Sequence, residues 1–339
     1  MVHKTAFIAF LIFFSCSSPK EKKQKSAIQV LSTKISQDPK NINLLYERVD
    51  YNKSQNNLES VLFDLKEIVR LDSVNAINHC NLAEIYFELS KSKSADIRYP
   101  SLVRHHLERS IFLDDKNKEP YALMGELLLA YNKFEDAIKF FNLSLEIEYN
   151  QQKIHVFMGY AFKQLDQIDN AINCFRNAIN IDPDFFEAHM QLGQTFHLLG
   201  DTIALTYYNN ALSLKPSDEM VLYNKALFYQ SILDWNNALE AYSELHKVSP
   251  FNTNGHYNLG FIHMELGLYD VATNNFSDAI YSNSEFYEAY YSRGNCFETL
   301  GNIAQAESDY KRAIDINPEY TYAREALENL RLMNKEYNK

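Results

Sequence analysis

One short pattern of small and aromatic residues returns about every 34 residues along this chain, and that periodicity restricts its fold more than any other feature. The pattern is Ala, then an aromatic four residues on, then Ala three further. It reads Ala171, Phe175, Ala178; Ala204, Tyr208, Ala211; Ala272, Phe276, Ala279; and Ala306, Tyr310, Ala313. A weaker copy has Ala238, Tyr242 and Leu245. Upstream of the strong copies lie Met158-Gly159, Leu192-Gly193, Leu259-Gly260 and Arg293-Gly294. Proline recurs at Pro183, Pro216, Pro250 and Pro318, in steps of 33, 34 and 68, and Ser284 fills the missing step.

Each copy carries two apolar stripes at helical spacing, so each predicts a pair of helices. The small residues let the two axes approach closely, where a larger side chain would force them apart. Proline ends one pair and opens the next. A single pair cannot bury both of its faces, so successive pairs must stack. With only 9 glycines and 8 prolines in 339 residues, the composition suits helices better than a turn-rich β fold.

These residues resemble the tetratricopeptide repeat family, whose pattern has an aromatic at repeat position 4, Leu-Gly or Leu-Ala at 7 and 8, Ala at 20, an aromatic at 24, Ala at 27 and Pro at 32. The register places eight repeats at residues 42–75, 76–117, 118–151, 152–185, 186–218, 219–252, 253–286 and 287–320. Residues 26–41 read as a half-repeat and 321–339 as a capping helix with a tail. The resemblance implies an all-α fold, a right-handed superhelical solenoid of stacked antiparallel helix pairs. Two repeats break the period. Repeat 186–218 lacks one residue between Gly193 and Ala204, which predicts a shortened inner turn. Repeat 76–117 has gained eight, around residues 91–101, as a long exposed loop.

The N-terminus reads as an address. After a short basic start, Ala6 to Phe14 form an unbroken apolar run, too short for the roughly 20 residues that span a bilayer. Ser15-Cys16 follows, then the polar SSPKEKKQK. This resembles a bacterial lipoprotein signal, which implies that residues 1–15 are removed, that Cys16 is acylated, and that residues 16–25 form a tether. A lipid-anchored location in the cell envelope, facing the periplasm, is the corresponding expectation. Residues 1–25 hold five lysines against Glu21, so of a formal net charge of -11 the rest of the chain carries -15. So acidic a body argues against binding a nucleic-acid backbone.

No reactive chemistry stands out. Cys80, Cys174 and Cys296 lie far apart in no metal-ligand spacing and read as small buried residues. The glycines are taken up by position 8 (Gly125, Gly159, Gly193, Gly260, Gly294), by inner turns (Gly200, Gly267, Gly301) and by the helix start at Gly255, which leaves none for a phosphate-cradling loop. His79, His155, His189 and His256 all fall at position 4, a packing position, and read as flat side chains filling gaps between helices. His105-His106 and His256 with His263 are the weak metal-site alternatives. The chain is expected to be no enzyme, with no catalytic residues, no metal and no cofactor.

In the family, positions 2, 5, 9, 12 and 13 of the first helix line the concave face. Carried onto this sequence, the candidate partner groove comprises Tyr46, Phe87, Tyr160, Tyr223, Tyr257, Phe261, Tyr291 and Asn295. Tyr223, Tyr257 and Tyr291 all take position 5, which suggests a ladder against a protein partner or extended peptide. The cluster of Lys, Arg and Asn with which the chaperone-tail members of the family clamp a terminal carboxylate is not matched. The favoured reading is a membrane-anchored scaffold for protein or peptide partners. An envelope module binding carbohydrate or peptidoglycan is the alternative, and an accessory subunit of a hydrolase or secretion machine a third.

Overall fold

The computed structural model describes residues 27–337 apart from Lys93, with side chains described as far as residue 332. The signal, Cys16 and the tether therefore lie outside the described residues. Among those described there are eighteen α-helices and no strand, and within each of two units each helix packs antiparallel against the next to form sequential pairs.

Two compact units divide the chain. The first, residues 1–116, contains α1 (Ala27–Gln37), α2 (Ile42–Ser54), α3 (Leu58–Leu71), α4 (Ala76–Ser90) and α5 (Tyr99–Leu113). The second, residues 117–339, begins with α6 (Glu119–Ala130), α7 (Phe134–Ile147), α8 (Gln152–Gln164), α9 (Ile168–Ile181), α10 (Phe186–Leu198) and α11 (Ile203–Leu214). It continues with α12 (Glu219–Ser231), α13 (Trp235–Val248), α14 (Thr253–Glu265), α15 (Tyr269–Ser282), α16 (Tyr287–Thr299), α17 (Ile303–Ile316) and α18 (Thr321–Tyr337).

The recurring small residues sit where helices meet. Ala137, Ala171, Ala178, Ala204, Ala211, Ala238, Ala272, Ala279, Ala306 and Ala313 are all fully buried, as are the rings of Phe141, Phe175, Tyr208, Phe276 and Tyr310. The glycine at position 8 lies directly on the ring at position 24. A Cβ built on Gly159 would come within 2.5 Å of Phe175, and one on Gly193 within 2.6 Å of Tyr208. Gly125, Gly260 and Gly294 meet Phe141, Phe276 and Tyr310 in the same way. At the end of the second unit, Leu327 and Leu330 of α18 pack against Ala306 and Tyr310.

Seven inner turns among the described residues share one construction. One residue at each has positive φ: Asn56, Asn132, Asp166, Gly200, Leu233, Gly267 and Gly301. The N–H of the next residue donates five residues back to the helix it has just left, as from Gln167 to Phe162 or from Asn302 to Phe297. This satisfies a carbonyl that the helix end would leave bare. Asparagine, aspartate and glycine tolerate the left-handed conformation; leucine pays about 1–2 kcal/mol for it. Leu233 is 67% exposed, so its side chain offsets little of that cost. Leu233→Asn or Leu233→Gly should therefore raise the unfolding midpoint, by about 1 kcal/mol of stability. A denaturant titration showing no gain would contradict this reading of the turn.

The two irregular repeats differ in where they deviate. The turn after α10 keeps the regular construction, with Gly200 at positive φ and Asp201 bonded back to Phe196. The missing residue comes off the start of α11, which has 12 residues where the second helices of the neighbouring repeats have 14, while Ala204 stays fully buried. The expected shortening of the inner turn is thus replaced by a shortened helix, because the buried alanine fixes the register from the other side. In repeat 76–117 the extra residues lengthen α4 and α5 to 15 residues each and fill the connection between them, where Ile97 is 94% exposed.

Candidate functional site: the inner face of the helix pairs

In the second unit the first helices of successive repeats approach one another, α6 with α8, α8 with α10, α10 with α12 and α14 with α16. Among the described residues no pair of second helices does so to the same degree. The first helices thus form the tighter, inner layer, and residues at their positions 5, 9 and 12 face one another across it.

The position-5 tyrosines are half-buried and each reaches the following repeat. The Tyr223 hydroxyl accepts from the Asn258 side-chain amide at 3.3 Å, and the Tyr257 hydroxyl lies 3.3 Å from Ser292 Oγ. In the first unit the Tyr46 hydroxyl donates to Asn78 Oδ1, and burial raises its pKa. Tyr257 also packs on Phe276 and Phe286, with ring centroids 5.5 and 5.0 Å away. Tyr291 sits among Tyr310, Tyr320 and Tyr322 at 6.0, 5.4 and 6.3 Å. Each ring therefore joins neighbouring repeats and keeps part of its face open.

A second set of hydroxyls reaches this layer from below. Where position 24 is tyrosine, its hydroxyl meets a polar side chain at position 12 of the paired helix. Tyr208 lies 3.2 Å from His197 Nδ1, Tyr242 donates to Gln230 at 2.7 Å, and Tyr310 donates to Glu298 at 2.6 Å with the Asn295 side-chain amide 2.7 Å away. Where position 24 is phenylalanine, position 12 holds Leu129, Lys163 or Met264. Burial raises the pKa of Tyr208, Tyr242 and Tyr310. They are neutral donors at neutral pH.

The position-4 histidines form a third recurring contact. Nε2 of His79, His155, His189 and His256 lies 3.1, 3.2, 2.8 and 2.8 Å from the carbonyl oxygens of Ser73, Tyr149, Pro183 and Pro250, in each case six residues back. A carbonyl only accepts, so Nε2 carries the proton and Nδ1 is bare. Nδ1 of His155 and of His189 is buried without any partner. His79 Nδ1 accepts from His106 Nδ1 at 3.0 Å. Tyr290 repeats the device, its hydroxyl 3.5 Å from the Ser284 carbonyl. These side chains tie each inter-repeat joint to the helix that follows it.

Among the described residues no group of three or more His, Cys, Asp or Glu is placed to hold a metal ion. His263 Nδ1 is engaged by Asn275 at 3.2 Å, and His256 by Pro250. Burial pushes the thiols of Cys174 and Cys296 up to about 11, which makes them poor nucleophiles. No described helix is long and apolar enough to cross a membrane.

A family model for the tetratricopeptide repeat matches residues 287–320, and a second TPR repeat model matches residues 159–200. Those two segments are tetratricopeptide-type repeats, and the helix-pair array that contains them has the fold of such an array. The human tetratricopeptide repeat protein 6 is 23% identical over 56% of this chain and 37% of its own length. The chain spans less than half the length of the curated relatives it matches. Two solved structures share the fold. Pseudomonas aeruginosa PilF gives a TM-score of 0.52 at 14% identity, over 62% of this chain and 92% of PilF. The APC/C hetero-tetramer Cut9–Hcn1 gives 0.50 at 17% identity, over 89% of this chain and 57% of that one.

Within the array, Tyr223, Tyr257, Tyr291, Phe261 and Asn295 fall on the inner layer of the second unit and are half-buried, and Tyr160 is 40% exposed. Tyr46 is half-buried in the first unit. Phe87 is 5% exposed, with the Lys91 ammonium 4.6 Å from its ring centre, so it offers a partner little surface. Sequence reasoning passed over the pairing of tyrosine at position 24 with a polar residue at position 12. Its signal lies in the sequence: from repeat 118–151 onward tyrosine stands at position 24 only where position 12 is His197, Gln230 or Glu298.

Proposed function

We propose that this chain is a non-catalytic scaffold that takes an extended segment of a partner protein along its inner helix face, and that a lipid on Cys16 holds it at a bacterial cell envelope. The observation that carries the binding part is the column Tyr223, Tyr257, Tyr291, one half-buried ring per repeat on the same face. Packed helices lie about 8–10 Å apart, and an extended chain advances about 3.3 Å per residue. A bound segment would meet a tyrosine about every third residue. Aromatic side chains give large contact area at low entropy cost, which suits such a platform. The anchoring part rests on the sequence alone, on the apolar run that ends at Ser15-Cys16.

Crosslinking in cells tests both parts together. Cys16→Ala should move the protein out of the membrane fraction and abolish fatty-acid labelling. The triple change Tyr223→Leu, Tyr257→Leu, Tyr291→Leu keeps an apolar side chain against the neighbouring helices and removes the flat amphipathic faces. Each lost anchor is worth about 2 kcal/mol, so partner recovery should collapse at unchanged helicity. Normal recovery with normal helicity would remove this face from the mechanism. Retention on isolated cell wall, unaffected by the tyrosine changes, would favour the carbohydrate reading instead.

A further inference from the structure

On the inner layer of the second unit, α8, α10 and α12 with Tyr208 of α11 line an open cavity of about 310 Å³. Lys163, Gln194, His197 and Asn224 supply its polar lining, and Leu198 and Leu227 its apolar walls. We propose that this cavity seats the carboxylate of a glutamate side chain carried by the extended partner segment. The proposal rests on the reading of the inner face as a binding surface and names what one part of that surface recognises.

The lining holds polar groups that the fold leaves largely unengaged, and its one charged group is a cation. Lys163 is half-buried and belongs to no ion pair among the described residues; its contact is a 3.3 Å hydrogen bond to Gln191 Oε1. Burial draws its pKa down with no neighbouring carboxylate to oppose the shift. The reason lies in the column already described. At His197, Gln230 and Glu298 the position-12 side chain meets a tyrosine hydroxyl, whereas beneath Lys163 the position-24 ring is Phe175, which has none. An ammonium taken out of water without a partner is costly, and the more so where no internal acid repairs it. The side-chain amides of Gln194 and Asn224 have no hydrogen-bond partner among the described residues. His197 commits Nδ1 to the Tyr208 hydroxyl, which leaves Nε2 for a ligand, and burial favours its neutral form.

The Lys163 ammonium, the NH2 ends of the two amides and the imidazole N–H can all serve a group that only accepts, and the uncompensated cation selects one with a single negative charge, a carboxylate. The walls choose between acids. Leu198, 72% exposed in the free chain, and Leu227 can cover a two-methylene stem, which favours glutamate over aspartate.

The test is a selection from a random library of twelve-residue peptides, acetylated and C-terminally amidated so that side chains hold the only carboxylates. The bait is the full chain in detergent. Wild type should enrich peptides with glutamate at one fixed position. Lys163→Met keeps the stem and removes the charge. It should bind those peptides roughly 10- to 100-fold more weakly, the worth of a charge-assisted hydrogen bond, and should no longer distinguish Glu from Gln. Lys139→Met, which removes an exposed cation of the second helix α7 paired with Asp136, should change neither property. Equal helicity of all three proteins by circular dichroism establishes that the fold is intact. Enriched peptides without a glutamate preference, or a preference that survives Lys163→Met, would overturn the carboxylate seat and leave the binding face standing. No enrichment at all would overturn both.

Discussion

Leucine in place of Gly260 should unfold its own hairpin and loosen repeats 219–252 and 287–320 while residues 42–75 stay protected. A Cβ at Gly260 would lie 2.7 Å from two atoms of the Phe276 ring. That ring is fully buried and has Tyr257 packed on it at 5.5 Å, so it has nowhere to retreat. Overpacking of this kind costs about 1–3 kcal/mol, and four added carbons place the change at the upper end or beyond. In a stacked array stability is close to a sum of repeat and nearest-neighbour terms, so the damage stays local. Amide hydrogen exchange read residue by residue should show opening centred on α14 and α15. Uniform loss of protection from end to end would contradict the nearest-neighbour picture.

Acidification from pH 7.5 to 5 should destabilise the array in the absence of any ligand. The folded-state pKa values of His79, His106, His155 and His197 lie below the ordinary histidine value of 6.5, chiefly through burial, with His106 pushed down to about 4. A histidine held neutral in the fold contributes stability that is fully present above the unfolded value. It is lost as the pH falls below about 6.5 towards the folded one, because the unfolded chain takes up the proton first. Each tenfold difference in proton affinity is worth about 1.4 kcal/mol. At His155 the cause is explicit: protonation would place an N–H on a buried Nδ1 that has no acceptor. At His79 and His106 it would set two donors against each other at 3.0 Å. Thermal melts should therefore show a falling midpoint below pH 6.5, and the double change His79→Gln, His155→Gln should flatten that slope. A midpoint that rises on acidification would mean that these rings are charged in the fold.

The parts of this molecule legible in the sequence are those set by side-chain volume. Alanine at positions 20 and 27, glycine at 8 and an aromatic ring at 24 have no polar partners to find, so spacing alone places them. The histidines show where that reasoning stops. Their column is visible, but its purpose depends on a carbonyl six residues back, and only the path of the chain through Pro183 or Pro250 brings that carbonyl to the ring. The same holds for the tyrosine ladder. Its register follows from the sequence, whereas the bonds from Tyr223 to Asn258 and between Tyr257 and Ser292 depend on how one first helix lies against the next. The spacing places the missing residue of repeat 186–218 only between Gly193 and Ala204, about three helical turns, and buried Ala204 decides which element gives it up.

The uniform inner turns bear on how such a chain can change length. From Asn132 to Gly301 the positive-φ residues follow one another in steps of 34, 34, 33, 34 and 34. Every cut made at the same point of that cycle exposes equivalent ends, a helix that has just delivered a carbonyl to the turn and a strand of backbone ready to start its partner. An unequal crossover that adds or removes one period would rejoin those ends without creating a new kind of bond or leaving an old one unmade. A shift of any other length would throw the glycines off their rings. Growth and loss in whole repeats is thus the easy evolutionary step for this architecture, and the eight residues gained in repeat 76–117 are of the other sort, admitted where the connection between α4 and α5 lacks the regular turn.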